Sequence, residues 1–200
     1  MLAEINRGAA YLVSAMLGFA GAIVFMSSGN GIALLFIFFG PALAVLVHEL
    51  GHAFAAWRCG MRVIEIAVGP VAILFKPLRL DRAERFLGED VGGHVIHDEG
   101  HGIYLNRRKD LIITAAGPLA NLAAALATFA LASAIGDGTL SRLLTGFSFV
   151  SLSAFTLSAW PFRLSSGRRN DALELIDIVA SGRPIHRTAR KRARSRWQAP

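Results

Sequence analysis

The sequence predicts an α-helical polytopic membrane protein with about four transmembrane helices and a small membrane-associated β region between the second and third. Three observations carry this expectation. Of 200 residues, 54% are apolar and the mean hydropathy is +0.48, more than a soluble domain of this length carries. The apolar residues gather in four runs, 9–26, 32–57, 111–135 and 143–161, each near the ~20 residues that a bilayer core asks of a helix. The 21 Lys and Arg residues also sort by side: Arg7 precedes the first run, nine lie between Arg58 and Lys109, ten lie from Arg163 onward, and Arg142 alone falls in the opposite loops. By the positive-inside rule both termini and the long middle segment are cytoplasmic. The net charge of +7 is then membrane topology, and no nucleic-acid partner is expected, since the basic tail carries no stacking aromatic beyond Trp197.

The first run follows Arg7 and precedes Ser27-Ser28-Gly29, which mimics a secretory signal, but its apolar core is long for one, so an uncleaved helix is expected. The second run contains His48-Glu49-Leu50-Gly51-His52. On a helix, residues four apart share a face, so His48 and His52 can converge on one ion while Leu50 and Gly51 point elsewhere. Glu49, beside the first ligand, is placed to take a proton from water and return it to a leaving amine. The alternative is a buried histidine pair on an ordinary helix. The uncharged stretch 32–47 just before the motif weighs against it, because ionisable groups at membrane depth cost several kcal/mol unless paired, metal-bound or hydrated.

After Trp57 the pattern changes to short β-branched runs, 63–68 and 71–75, divided by Gly69-Pro70, with further strand candidates at 91–96 and 102–105. The β region thus spans about 62–105, and an edge of such a sheet can accept an unwound peptide as an added strand. His94, His97, Asp98, Glu99 and His101 lie here. They read as a solvated loop, with an active-site lid or accessory metal site as the other possibility.

The third run carries Ala115-Ala116-Gly117-Pro118-Leu119-Ala120-Asn121. Small residues at 116, 120 and 124 let a neighbouring helix approach closely, and Asn121 is either interhelical glue or a donor aimed at substrate. A zinc site of the catalytic type needs a third protein ligand. Asp171 is the best candidate: it follows the break at Trp160-Pro161 and opens the apolar-periodic stretch 172–179, where it would equally serve as a helix N-cap. Asp177 competes from two turns further on, and Asp137 lies on the wrong side of the membrane. The metal is expected to be Zn2+, although a His/His/carboxylate set also accepts cobalt or iron.

Residues 1–182 form the membrane-embedded unit and 183–200 a basic cytoplasmic tail attracted to anionic lipid. The single cysteine, Cys59, excludes an internal disulfide and fits a reducing compartment.

Taken in order, these motifs resemble the site-2 protease family of intramembrane zinc metalloproteases over about 41–179. His48-Glu49-Leu50-Gly51-His52 is similar to its first motif, Val68-Gly69-Pro70 and Val91-Gly92-Gly93-His94-Val95 to its β-region turns, and Ala116-Gly117-Pro118-Leu119-Ala120-Asn121 to its second motif. The resemblance implies His48, His52 and Asp171 as zinc ligands, Glu49 as catalytic base and Asn121 as a residue that helps hold substrate. It implies a transmembrane protein segment as substrate. The place of His52 near the cytoplasmic end of its helix predicts cleavage toward that side, and the spans and charge pattern predict a multi-pass cell-membrane location, as in a prokaryotic plasma membrane.

The third motif departs from the family pattern: Ser158 stands where an Asn is usual, Ala172 follows Asp171 where a Gly is usual, and the spacing from Pro161 to Asp171 is long. About thirty residues separate Phe75 from Asn106, too few for the PDZ domain of many bacterial relatives. Substrate choice is therefore expected to rest on the β region and the loop from His94 to His101. Two other functions stay open: a non-catalytic metal-binding member of the fold that binds membrane segments, and a metal transporter or sensor built on the histidine-rich loop. Oligomeric state is not legible.

Overall fold

The computed structural model describes residues 2–26, 32–75, 78–82, 92–98, 105–164 and 167–182. Glu99, His101, most of the candidate strand 102–105 and the tail 183–200 lie outside them. The described residues form helices α1 (Leu2–Met26), α2 (Ile32–Arg58), α3 (Arg107–Ile135), α4 (Thr139–Ala159) and α5 (Asp171–Ser181). Between α2 and α3 come strands β1 (Arg62–Val68), β2 (Val71–Phe75), β3 (Leu78–Arg82) and β4 (Gly93–Asp98). Three stretches are long and apolar enough to cross a membrane, Phe39–Arg58, Arg107–Ile135 and Thr139–Ala159, while the apolar part of α1, Ala9–Val24, is shorter. Among the described residues, three of the four expected spans meet that criterion.

The packing is that of a protein whose solvent is lipid. Its most deeply buried side chains include Asp110, Thr114, Asn121 and Ser151, whereas Phe19, Phe54, Trp57, Leu126 and Phe129 are exposed. Lipid satisfies large apolar groups on the outside, so contact between helices falls to small and polar residues. Ser153 donates to the backbone carbonyl of Ser14 at 2.9 Å, joining α4 to α1, and Ser148 donates to that of Ala125 at 2.8 Å, joining α4 to α3. At Gly51, where α2 crosses α3, a Cβ would lie 2.5 Å from the Ala116 carbonyl oxygen. Any side chain there would push the two helices apart.

The sheet is antiparallel in the order β3-β2-β1-β4. β1 and β2 join through Gly69-Pro70, with Gly69 at φ 53° and Val68 opposite Val71. β1 pairs with β4 across a register shift between Val63 and Glu65. β3 was not anticipated. It pairs Phe75 with Leu78 and Val71 with Arg82, and its alternation of Leu with charged residues marks a strand with one wet face. β4 begins two residues later than the expected 91–96, so His94, His97 and Asp98 belong to a strand rather than to a loop. The sheet leans on α2 through β1 and β4, which brings β4 over the motif of the second run.

Candidate metal centre

His48 and His52 lie one turn apart on α2, and their rings meet edge to face with centroids 4.7 Å apart. Their Nε2 atoms are 3.0 Å apart. Asp171 Oδ2, at the start of α5, lies 2.9 Å from Nε2 of His48 and 3.7 Å from Nε2 of His52. Three ligands at the ~2.0–2.1 Å typical of zinc, arranged tetrahedrally, would stand ~3.3 Å apart. The observed triangle brackets that value. Among the described residues this is the one group of three or more metal-type side chains gathered on a common point.

The space at that point is kept open by Gly117. A Cβ on Gly117 would collide with Nε2 of His52 and sit 2.6 Å from Nε2 of His48, so a side chain there would take the volume in which an ion shared by the two nitrogens must lie. Donor set, spacing and cradle all fit zinc. Outer contacts orient the ligands: Nδ1 of His52 donates to the Ile113 carbonyl at 2.7 Å, which leaves its Nε2 lone pair free to coordinate.

Asp171 opens α5, but the cap is its neighbour. Asn170 Oδ1 accepts from the Leu173 amide at 3.2 Å as the N-cap of α5 and from the Phe162 amide at 3.2 Å. Its Nδ2 donates to the carbonyls of Leu157 at 2.9 Å and Trp160 at 2.5 Å. One buried amide thus ties the end of α4 to the start of α5 and leaves the Asp171 carboxylate free to face the histidines. Burial alone would raise the Asp171 pKa, but the hydrogen bond from His48 and the nearness of the His52 imidazole more than offset it and hold the carboxyl below the usual carboxylate range. Asp177 is engaged elsewhere, 2.6 Å from Arg169 Nε. Ser158, at the position where an amide was expected, turns its hydroxyl back onto the Ala154 and Phe155 carbonyls at 3.0 Å each.

Glu49 is 5% exposed, and β4 runs across it. A Cβ on Gly93 would lie 2.5 Å from Glu49 Cγ and 2.6 Å from Oε1. His94, the next residue, pairs with Glu65 at 3.0 Å and is not part of the metal group. Asn121 is completely buried, its Nδ2 3.3 Å from Nδ1 of His48. The structure therefore brings His48, Glu49, His52, Asn121 and Asp171 together. Sequence reasoning missed Gly117, Gly93 and Asn170; the first two stood inside motifs already singled out, and the third sits beside Asp171.

A helical membrane protein with an HExxH pair and a distant Asp on one ion-sized cluster has the architecture of a membrane metallopeptidase. The profile of Peptidase family M50 matches residues 34–191, and the chain belongs to that family. It is 27% identical over 124 residues to a protein of Mycolicibacterium smegmatis (strain ATCC 700084 / mc(2)155) named "Putative zinc metalloprotease Rip2", a match covering 58% of this chain and 47% of that relative. The matched segment is thus about half the relative's length. No solved structure gives a significant match.

Proposed function

We propose that this protein is an intramembrane zinc metalloprotease that hydrolyses peptide bonds within or near transmembrane segments of other membrane proteins. The observation that carries this reading is the buried carboxylate of Glu49 beside the cluster of His48, His52 and Asp171, inside a span able to cross a bilayer. When bound, zinc supplies Lewis acidity, acidifying water to a pKa of about 7 and polarising a carbonyl. His48, His52 and Asp171 hold it. Glu49 takes the proton of the attacking water and passes it to the departing amine.

A substrate helix must unwind before its peptide bond is exposed, because its carbonyls are hydrogen-bonded internally. β4 is one of the two edge strands among those described, the other being β3, and it passes directly over Glu49, so an unwound segment adding to it would lie along the catalytic groups. We place four crossings in the bilayer, counting α1, with both termini cytoplasmic and the site toward the cytoplasmic side. Cleavage there releases a cytoplasmic fragment. The departures at Ser158 and Ala172 favour, as a second reading, a non-catalytic member that only binds membrane segments.

Co-expression with tagged single-span membrane proteins separates the two. A shortened cytoplasmic fragment made by wild type and absent with Glu49→Gln supports the protease, whereas an unchanged cellular function in Glu49→Gln leaves the binding reading.

A further inference from the structure

The buried amide of Asn121 presents one satisfied end and one orphan. Its Nδ2 lies 3.3 Å from Nδ1 of His48, while its Oδ1 is buried with no hydrogen-bond partner. The side chain has no exposed surface at all, which sets it behind His48 rather than in contact with a substrate. In the metal-free arrangement the contacts are consistent: Nε2–H of His48 donates to Asp171 at 2.9 Å, so Nδ1 is bare and accepts from the amide. A neutral imidazole that coordinates through Nε2 carries its proton on Nδ1 instead. The amide nitrogen would then face an N–H, donor against donor. Exchanging the two ends of the amide removes the conflict and pairs Oδ1 with His48, while Nδ2 takes the place that Oδ1 held; the two orientations have nearly the same shape.

We infer that Asn121 is a positioning residue for the metal: in the loaded protein its Oδ1 accepts the Nδ1–H of His48 and so selects Nε2 as the coordinating atom. The counterpart for His52 is the Ile113 carbonyl, 2.7 Å from Nδ1. Both outer contacts come from α3, one from backbone and one from a side chain, so the helix that supplies the Gly117 cradle also fixes both ligand tautomers. This assignment rests on the metallopeptidase reading. It replaces the role of substrate holder that motif resemblance gives to Asn121.

The test uses the full chain in detergent with Co2+ in place of zinc. The proton on each ligand's Nδ1 is then read as a hyperfine-shifted, solvent-exchangeable resonance, and zinc affinity is measured in parallel by chelator competition. Asn121→Asp retains an acceptor and lacks a donor; Asn121→Leu has neither. The expected result is that Asn121→Asp keeps the His48 resonance and binds zinc at least as well as wild type to within a few-fold. Asn121→Leu should lose that resonance to solvent exchange, keep the His52 resonance, and bind zinc roughly 10- to 100-fold more weakly. If Asn121→Leu fails to fold, the comparison of Asn121→Asp with wild type still decides. Loss of the His48 resonance in Asn121→Asp, or its persistence in a folded Asn121→Leu, overturns the inference while leaving the metallopeptidase reading intact. Absence of metal binding by wild type overturns both.

Discussion

Gly117 on α3 faces Nε2 of His48 on α2 so closely that a single added carbon would stand 2.6 Å from that nitrogen. In the proposed metal site the glycine would be one wall of the ion's compartment. In an ordinary helix interior Gly→Ala stabilises by about 0.5–1 kcal/mol, and what a Cβ meets at Gly117 is the far ends of two imidazoles rather than backbone, so Gly117→Ala should fold with the two rings turned aside. It should nevertheless abolish zinc retention, read as metal content after gel filtration. A Gly117→Ala protein that holds a full complement of zinc contradicts the cradle.

Gly93 bears on the base in the same way that Gly117 bears on the ligands. Its Cβ would meet Glu49 Cγ and Oε1, and also the Ala67 carbonyl oxygen at 2.7 Å, so Glu49 cannot accommodate it simply by swinging aside. Gly93→Ala should keep zinc and lower cleavage at least tenfold, because the carboxylate or the strand is displaced from its place. Equal loss of zinc and cleavage would show that the substitution acts on the metal site instead.

Asn170 holds Asp171 in register with α2. Asn170→Ala removes an N-cap, worth ~1 kcal/mol, together with the ties to the Leu157 and Trp160 carbonyls. The thermal midpoint should fall and zinc affinity should weaken. Asn170→Asp restores the cap acceptor but not the ties, so it should recover part of the stability. If both variants bind zinc as wild type does, Asp171 is positioned by α5 packing alone.

Much of the candidate site was legible because its elements are local. The spacing of His48 and His52 is a property of one helix turn, and the composition of the long runs announces lipid. What was not legible depends on crossings between elements. Gly117 reads as a small residue for helix contact until α2 is laid against it, and only then does the missing side chain become the ion's space. Asp171 was open between ligand and cap because either suits a helix start; in the structure Asn170 is the cap and the Asp171 carboxylate faces the two histidines. β3 escaped notice because five residues of alternating Leu and charge give little signal until Val71–Phe75 pairs with them.

His94 separates the metallopeptidase from a metal-handling role for the β region. It is paired with Glu65 at 3.0 Å and stands outside the metal group. His94→Gln should leave zinc stoichiometry unchanged, checked by metal analysis of the purified protein. A loss of one bound zinc would move metal binding to the sheet.

In the proposed mechanism His48, His52 and Asp171 hold zinc and Glu49 uses it. It is tested most directly by measuring zinc content and cleavage of a tagged transmembrane substrate in one set of preparations: wild type, Asp171→Ala, Asp177→Asn and Glu49→Gln. Expected are about one zinc per chain in wild type, Asp177→Asn and Glu49→Gln, zinc loss in Asp171→Ala, and no cleavage by Glu49→Gln. Zinc retained by Asp171→Ala, or cleavage retained by Glu49→Gln, would contradict it.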